Sequence, residues 1–144
     1  MQNRWMMQKL SVVTAETLSG LERLHVGRGP DGAPVLRGAR CADCGLVYFP
    51  PIGICPSCAS TDQAAEDMPR SGTLYSETTV HAAPPPWFTP YSVGYVDLPN
   101  GARVFGHLRG SPRIGDRVTL TTAVLGRDED GRPVETFAFE KKEG

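Results

Sequence analysis

A chain of 144 residues, 40% hydrophobic and 22% charged with a formal net charge of −1, has room for one small domain and one module too small to fold on apolar burial alone. Near-neutral charge argues against a protein that lives on a phosphate backbone, and four thiolates around one divalent cation would make the chain more negative still. The 16 glycines and 13 prolines favour turns and short strands over long helices, so the expected class is mainly β.

Residues 1–10 hold no continuous apolar core of an export signal, and no stretch of the chain reaches the length needed to span a bilayer. The expectation is a cytoplasmic protein with no membrane partner. Leu10, Thr14, Leu18, Leu21 and His25 fall roughly on one helical face, with Thr14 placed to cap it. That predicts an N-terminal helix lying on a neighbour or on a partner chain. The run 27–34, rich in Gly and Pro, ends it in turns, giving a first segment over residues 1–34.

The second segment, 35–67, is organised by cysteines. Val35 and Leu36 predict a strand leading to Cys41 and Cys44, Tyr48 and Phe49 a return strand, and 61–67 a linker or short outgoing strand. The third, 68–144, reads as β throughout. Strands are predicted over 72–81, 91–98, 102–108, 116–125 and 133–140. Leu74, Ser76, Thr78 and Val80 share one side of the first, and Val118, Leu120, Thr122 and Val124 one side of the fourth. Asn100 and Gly101 supply a hairpin turn. Five short strands with turns between them suit a five-stranded OB-type barrel.

Cys41-Ala-Asp-Cys44 and Cys55-Pro-Ser-Cys58 are two C-x-x-C pairs ten residues apart. Two residues between cysteines let a tight turn aim both sulfurs at one ion, and two such turns build a tetrahedral four-sulfur site. In a chain without an export signal this spacing reads as metal before disulfide. One structural Zn²⁺ per chain is expected, with iron as the alternative occupant. Gly45 suits the positive-φ position of such a turn. Four sulfurs leave no vacancy for water, so the site's expected role is to fold a module with almost no core.

Elsewhere no complete catalytic constellation can be read. His25, His81 and His107 are expected to be structural or exposed, and Asp128, Glu129 and Asp130 to form a solvated turn. The stretch 81–91 packs four prolines with Trp87, Phe88 and Tyr91 between two strands. Prolines prevent regular pairing and hold the segment extended. Trp87 and Phe88 either cover the barrel mouth or form an apolar ridge that meets a partner or an acyl chain.

Together, Arg40 to Gly45 (R-C-A-D-C-G), Tyr48 to Pro51 (Y-F-P-P) and Cys55 to Cys58 (C-P-S-C) resemble the rubredoxin-like zinc ribbon of the acyl-CoA-associated zinc-ribbon/OB-fold proteins, long catalogued as a domain of unknown function. Ser71 to Leu74, Tyr95 to Leu98, Gly101, Arg103, Phe105, Gly106 and Ile114 to Val118 resemble that group's barrel motifs, so the resemblance runs from about Val35 to Phe139. It implies a zinc ribbon followed by an OB-fold. It also implies a non-catalytic subunit docked on a thiolase-like catalytic chain, which carries the reacting groups, in a hetero-oligomer that shapes an acyl-CoA site. A CoA thioester would then lie at the interface, with Trp87, Phe88 and Tyr91 near its tunnel. Accessory roles beside a hydratase or an aldolase are the nearest alternatives. A nucleic-acid-binding OB-fold is a further one, disfavoured because acidic residues balance Arg103, Arg109, Arg113 and Arg117.

Overall fold

The computed structural model describes residues 24–142. Of the expected helix, the positions Leu10 to Leu21 lie outside them. Its last position, His25, stands in a turn with φ of 61° and leads directly into a strand, β1 (Val26–Arg28). The sequence places Gly27 at the start of a turn; three residues, the middle one glycine, are too few to show alternation.

The β1 strand pairs antiparallel with β2 (Pro34–Cys41) through Val26 opposite Leu36. Further along, β2 pairs on one side with β3 (Val47–Tyr48) and on the other with β4 (Gln63–Asp67). The polar run 61–67 is thus an outgoing strand. It is tied to β2 by a bidentate ion pair in which Arg40 Nε and Nη2 donate to the Glu66 carboxylate at 2.6 and 2.7 Å.

The rest is a closed barrel of β5 (Ser71–Val80), β6 (Tyr91–Asp97), β7 (Arg103–Arg109), β8 (Arg117–Arg127) and β9 (Pro133–Lys141), in the order β5-β6-β7-β9-β8 with β8 returning to β5. All pairings are antiparallel except β7 with β9. Closure removes free edges, and this order is that of the five-stranded OB-fold expected from the strand pattern.

The expected alternation in β5 fails after Leu74. Leu74 faces inward opposite Val96, but a bulge at Tyr75 shifts the register so that Ser76, Thr78 and Val80 stand opposite Tyr95, Val93 and Tyr91 on the outer face. One extra residue reverses the parity of everything beyond it. On β8, Val118 and Leu120 are buried as expected, but Val124 is 48% exposed, next to a second register shift between Val124 and Gly126.

One core serves both parts. Val26, Leu36, Val47 and Met68 cluster with the barrel residues Leu74, Val96, Leu98, Val104, Val118, Leu120, Phe137 and Phe139. Phe49 packs edge-on to Phe137 at 5.8 Å. Phe139 is fully buried, and its removal would cost about 3–5 kcal/mol.

Candidate metal centre and aromatic surfaces

Cys41 ends β2, so the sheet itself fixes the first sulfur. The chain then turns, with the Gly45 amide donating to the Cys41 carbonyl at 3.0 Å. The second pair repeats this: the Ala59 amide donates to the Cys55 carbonyl at 3.0 Å. Gly45 and Ala59 have φ of 79° and 66°, which lets each turn close tightly over its cysteines. The two turns face each other. Cys41 Sγ lies 3.5 Å from Cys58 Sγ, Cys44 Sγ lies 3.6 Å from Cys55 Sγ, and all four sulfurs fall within 4.8 Å of one another. A tetrahedral Zn²⁺ with bonds of about 2.3 Å requires sulfurs about 3.8 Å apart, so this donor set fits one ion.

Amides support the sulfurs from behind. The Cys44 N–H points at Cys41 Sγ and the Ser57 N–H at Cys55 Sγ, at 3.5 and 3.4 Å. The Cys44 amide, chief among several donors, draws the Cys41 thiol down to about 6. Cys58 behaves oppositely. The Ser60 amide lowers its thiol, but the neighbouring Cys41 sulfur, burial and the other two cysteines together push it up to about 12. Four thiols this close resist ionising together unless a cation compensates them. Cys41 and Cys55 are buried, while Cys44 and Cys58 are exposed. Behind the site Tyr48 packs with Ala39, Cys41 and Cys55 and donates its hydroxyl proton to Gln63 Oε1. Ser60 Oγ donates to Asp43 Oδ2 at 2.5 Å, linking the two turns.

The stretch containing Trp87, Phe88 and Tyr91 spans β5 to β6, and its aromatic residues part ways. Pro86 O accepts from the Arg127 amide and the Phe88 amide donates to Leu125 O, both at 2.9 Å, with Trp87 bridged to Gly126. The loop thus lies on β8 as one extra rung. Trp87 is half-buried on His107, ring centroids 4.7 Å apart, and Tyr91 approaches the same imidazole at 5.1 Å. Phe88 is 51% exposed. Burial lowers the affinity of His107 for a proton, and its Nδ1 is buried with no partner. His107 is therefore a structural ring between two aromatic residues. Asp128 Oδ1 accepts from the amides of Asp130 and Arg132, closing its own turn as expected. That turn borders a shallow crevice of about 350 Å³ shared with Pro85 and Pro86.

Sequence reading missed the outer face of β5–β6–β7. There Tyr95 and Phe105 stand directly opposite each other with ring centroids 5.1 Å apart, and Tyr75 lies 3.7 Å beneath the Arg103 guanidinium. All three rings project into solvent. In the sequence they look like ordinary strand aromatics. Only the bulge and the register reveal that they share the outer side.

Residues 32–62 match the rubredoxin-like zinc ribbon domain of ChsH2, and residues 65–123 match the C-terminal OB-fold domain of ChsH2. The chain is 38% identical over 112 residues to the benzoylsuccinyl-CoA thiolase subunit BbsA of Thauera aromatica, covering 76% of this chain and 78% of that one. It is 33% identical over 113 residues to the subunit of the same name in Geobacter metallireducens, covering 76% and 77%. Among solved structures, that titled Ltp2-ChsH2(DUF35) aldolase is similar with a TM-score of 0.58 and 30% identity, covering 74% of this chain and 84% of that one. With its four-sulfur ribbon set before a closed five-stranded barrel, the chain belongs to the ChsH2/DUF35 family of zinc-ribbon and OB-fold proteins.

Proposed function

We propose that this chain is an accessory, non-catalytic subunit of an acyl-CoA-processing enzyme, docked on a catalytic chain of thiolase type. One observation carries the reading: the cysteines of the described residues all converge on one closed site. Four sulfurs leave no open coordination position, and no thiol remains to attack a thioester. His107, with its partnerless Nδ1 between Trp87 and Tyr91, activates no nucleophile. In this reading the chemistry of thioester cleavage resides on another chain, in keeping with the relatives named as thiolase subunits.

In this reading Cys41, Cys44, Cys55 and Cys58 hold one Zn²⁺, which supplies folding free energy and no catalytic chemistry. The segment with Trp87, Phe88 and Tyr91 meets the catalytic chain near its acyl-CoA site. The exposed Phe88 is the contact there, and Trp87 is the brace that holds the loop. An aldolase is the second reading for the catalytic chain, favoured by the similarity to the solved structure titled an aldolase.

The test is co-expression with the candidate catalytic chain, followed by purification of the assembly. A complex that turns over an acyl-CoA substrate, with zinc on the small subunit and no turnover by that subunit alone, is expected. Turnover by the isolated chain, freed of contaminants, overturns the reading. Thiolytic cleavage separates a thiolase partner from an aldolase, which releases an aldehyde or ketone.

A further inference from the structure

The outer wall of the barrel carries more aromatic surface than a solvated wall needs. Along β6 and β7 the outward positions pair in ranks: Val93 with His107, Tyr95 with Phe105, and Asp97 with Arg103. Tyr91 and Trp87 close one end over His107, and the β5 bulge adds Tyr75 at the other. Tyr75 and Phe105 are each 53% exposed and Tyr95 is 44% exposed. The strip is one strand long, on the order of 20 Å, and an exposed patch of this kind marks an interaction site.

We infer that this strip, centred on Tyr95 and Phe105, is a docking surface for the catalytic chain, continuous with the loop carrying Phe88. The inference rests on the accessory-subunit reading above and assigns it a place on the molecule. Charge selects the occupant. The ionic groups in the ranks, Asp97 and Arg103, cancel in a bidentate pair at 2.6 and 3.1 Å, and the bordering turn is acidic at Asp128, Glu129 and Asp130. A polyanion would be repelled by that turn and would find no unpaired cation in the three ranks, Arg109 lying beyond them at the end of β7, whereas single-stranded nucleic acid needs a positive groove beside its stacking rings. A protein face that is apolar at its centre and uncharged fits. Tyr, Phe and Arg are the residue types enriched at such centres. The Arg103 guanidinium is already held by both Asp97 and Tyr75, so little side-chain freedom is lost on docking.

The experiment uses the complex and the double variant Tyr95→Ala/Phe105→Ala. Both side chains point outward, so zinc content and melting temperature of the free subunit should stay close to wild type, while association with the catalytic chain weakens by about 30-fold or more. Hydroxyl-radical footprinting of the wild-type complex against the free chain gives an independent reading: Tyr75, Tyr95 and Phe105 should become protected on assembly. If the variant binds the catalytic chain within about two-fold of wild type, or the rings stay as reactive in the complex as in the free chain, this surface is wrong while the accessory-subunit reading stands. If the wild-type chain forms no complex with an acyl-CoA enzyme, both are overturned. Binding of a labelled oligo-dT at low salt that disappears in the double variant overturns the choice of occupant.

Discussion

Gly45 and Ala59 occupy the same place in the two metal-binding turns, each donating its amide to the carbonyl of the first cysteine of its pair, but only one of them is glycine. Left-handed backbone costs an L-residue about 1–2 kcal/mol, and Ala59 sits there with φ of 66°. Ala59→Gly should therefore stabilise the protein by roughly 0.5–1 kcal/mol, after the entropy that glycine adds to the unfolded chain. Gly45→Ala should destabilise it by a similar or larger amount. Thermal melts of the two variants with zinc bound test both signs.

Zinc should be present at about one per chain and should hold the ribbon together. Cys55→Ser removes a buried ligand and should abolish stoichiometric zinc, measured by elemental analysis. Affinity should fall as pH falls, because protons compete for the sulfurs. A chelator titration at two pH values checks the direction. Unchanged metal content in Cys55→Ser would remove the four-sulfur site from consideration.

Gly126 is what lets the proline-rich loop lie on β8. A methyl group there would fall against the Pro86 carbonyl and the Trp87 backbone, and backbone atoms cannot swing aside as a flexible side-chain tip would. Gly126→Ala should lift the loop, expose Trp87 and shift its fluorescence to longer wavelength, leaving zinc unaffected. Trp87→Ala should lower the melting temperature of the free subunit, since the indole covers His107. Phe88→Ala should leave it unchanged and weaken association instead.

His107 offers a pH signature. Burial depresses its proton affinity, so between the unfolded value of about 6.5 and its lower folded value the unfolded chain binds more protons than the folded one. Stability from this site is complete above that window and is lost as pH falls through it. His107→Phe keeps a ring between Trp87 and Tyr91 while removing the proton site. The drop in melting temperature from pH 7 to pH 5 should be smaller in the variant than in wild type.

Metal spacing and strand succession were legible in the sequence because each rests on local chemistry. Cys-x-x-Cys pairs can converge only in a few ways, and every barrel strand lies within two residues of its expected bounds. The rest depends on register, which is not written locally. No local cue announces the bulge at Tyr75, so simple alternation puts Ser76, Thr78 and Val80 on the side of Leu74, whereas they lie on the other. The stacked pair Tyr95 and Phe105 joins residues ten apart, a proximity set by hairpin geometry. The β1 strand owes its existence to Leu36 and Val35 across the ladder, not to its own three residues.

Met68 has a wider consequence than its place at the junction of β4 and β5 suggests. Its amide donates to the Leu36 carbonyl at 2.8 Å, its sulfur receives Asn100 Nδ2 from the β6–β7 hairpin at 3.4 Å, and its side chain belongs to the cluster that spans the cysteine-bearing sheet and the barrel. Neither half can be excised without opening the other's interior. The ribbon is thus no detachable cassette: grafting it onto a foreign barrel, or trimming it away to study the barrel alone, would leave a hydrophobic wound, and metal starvation should be felt as far off as the Asn100 hairpin.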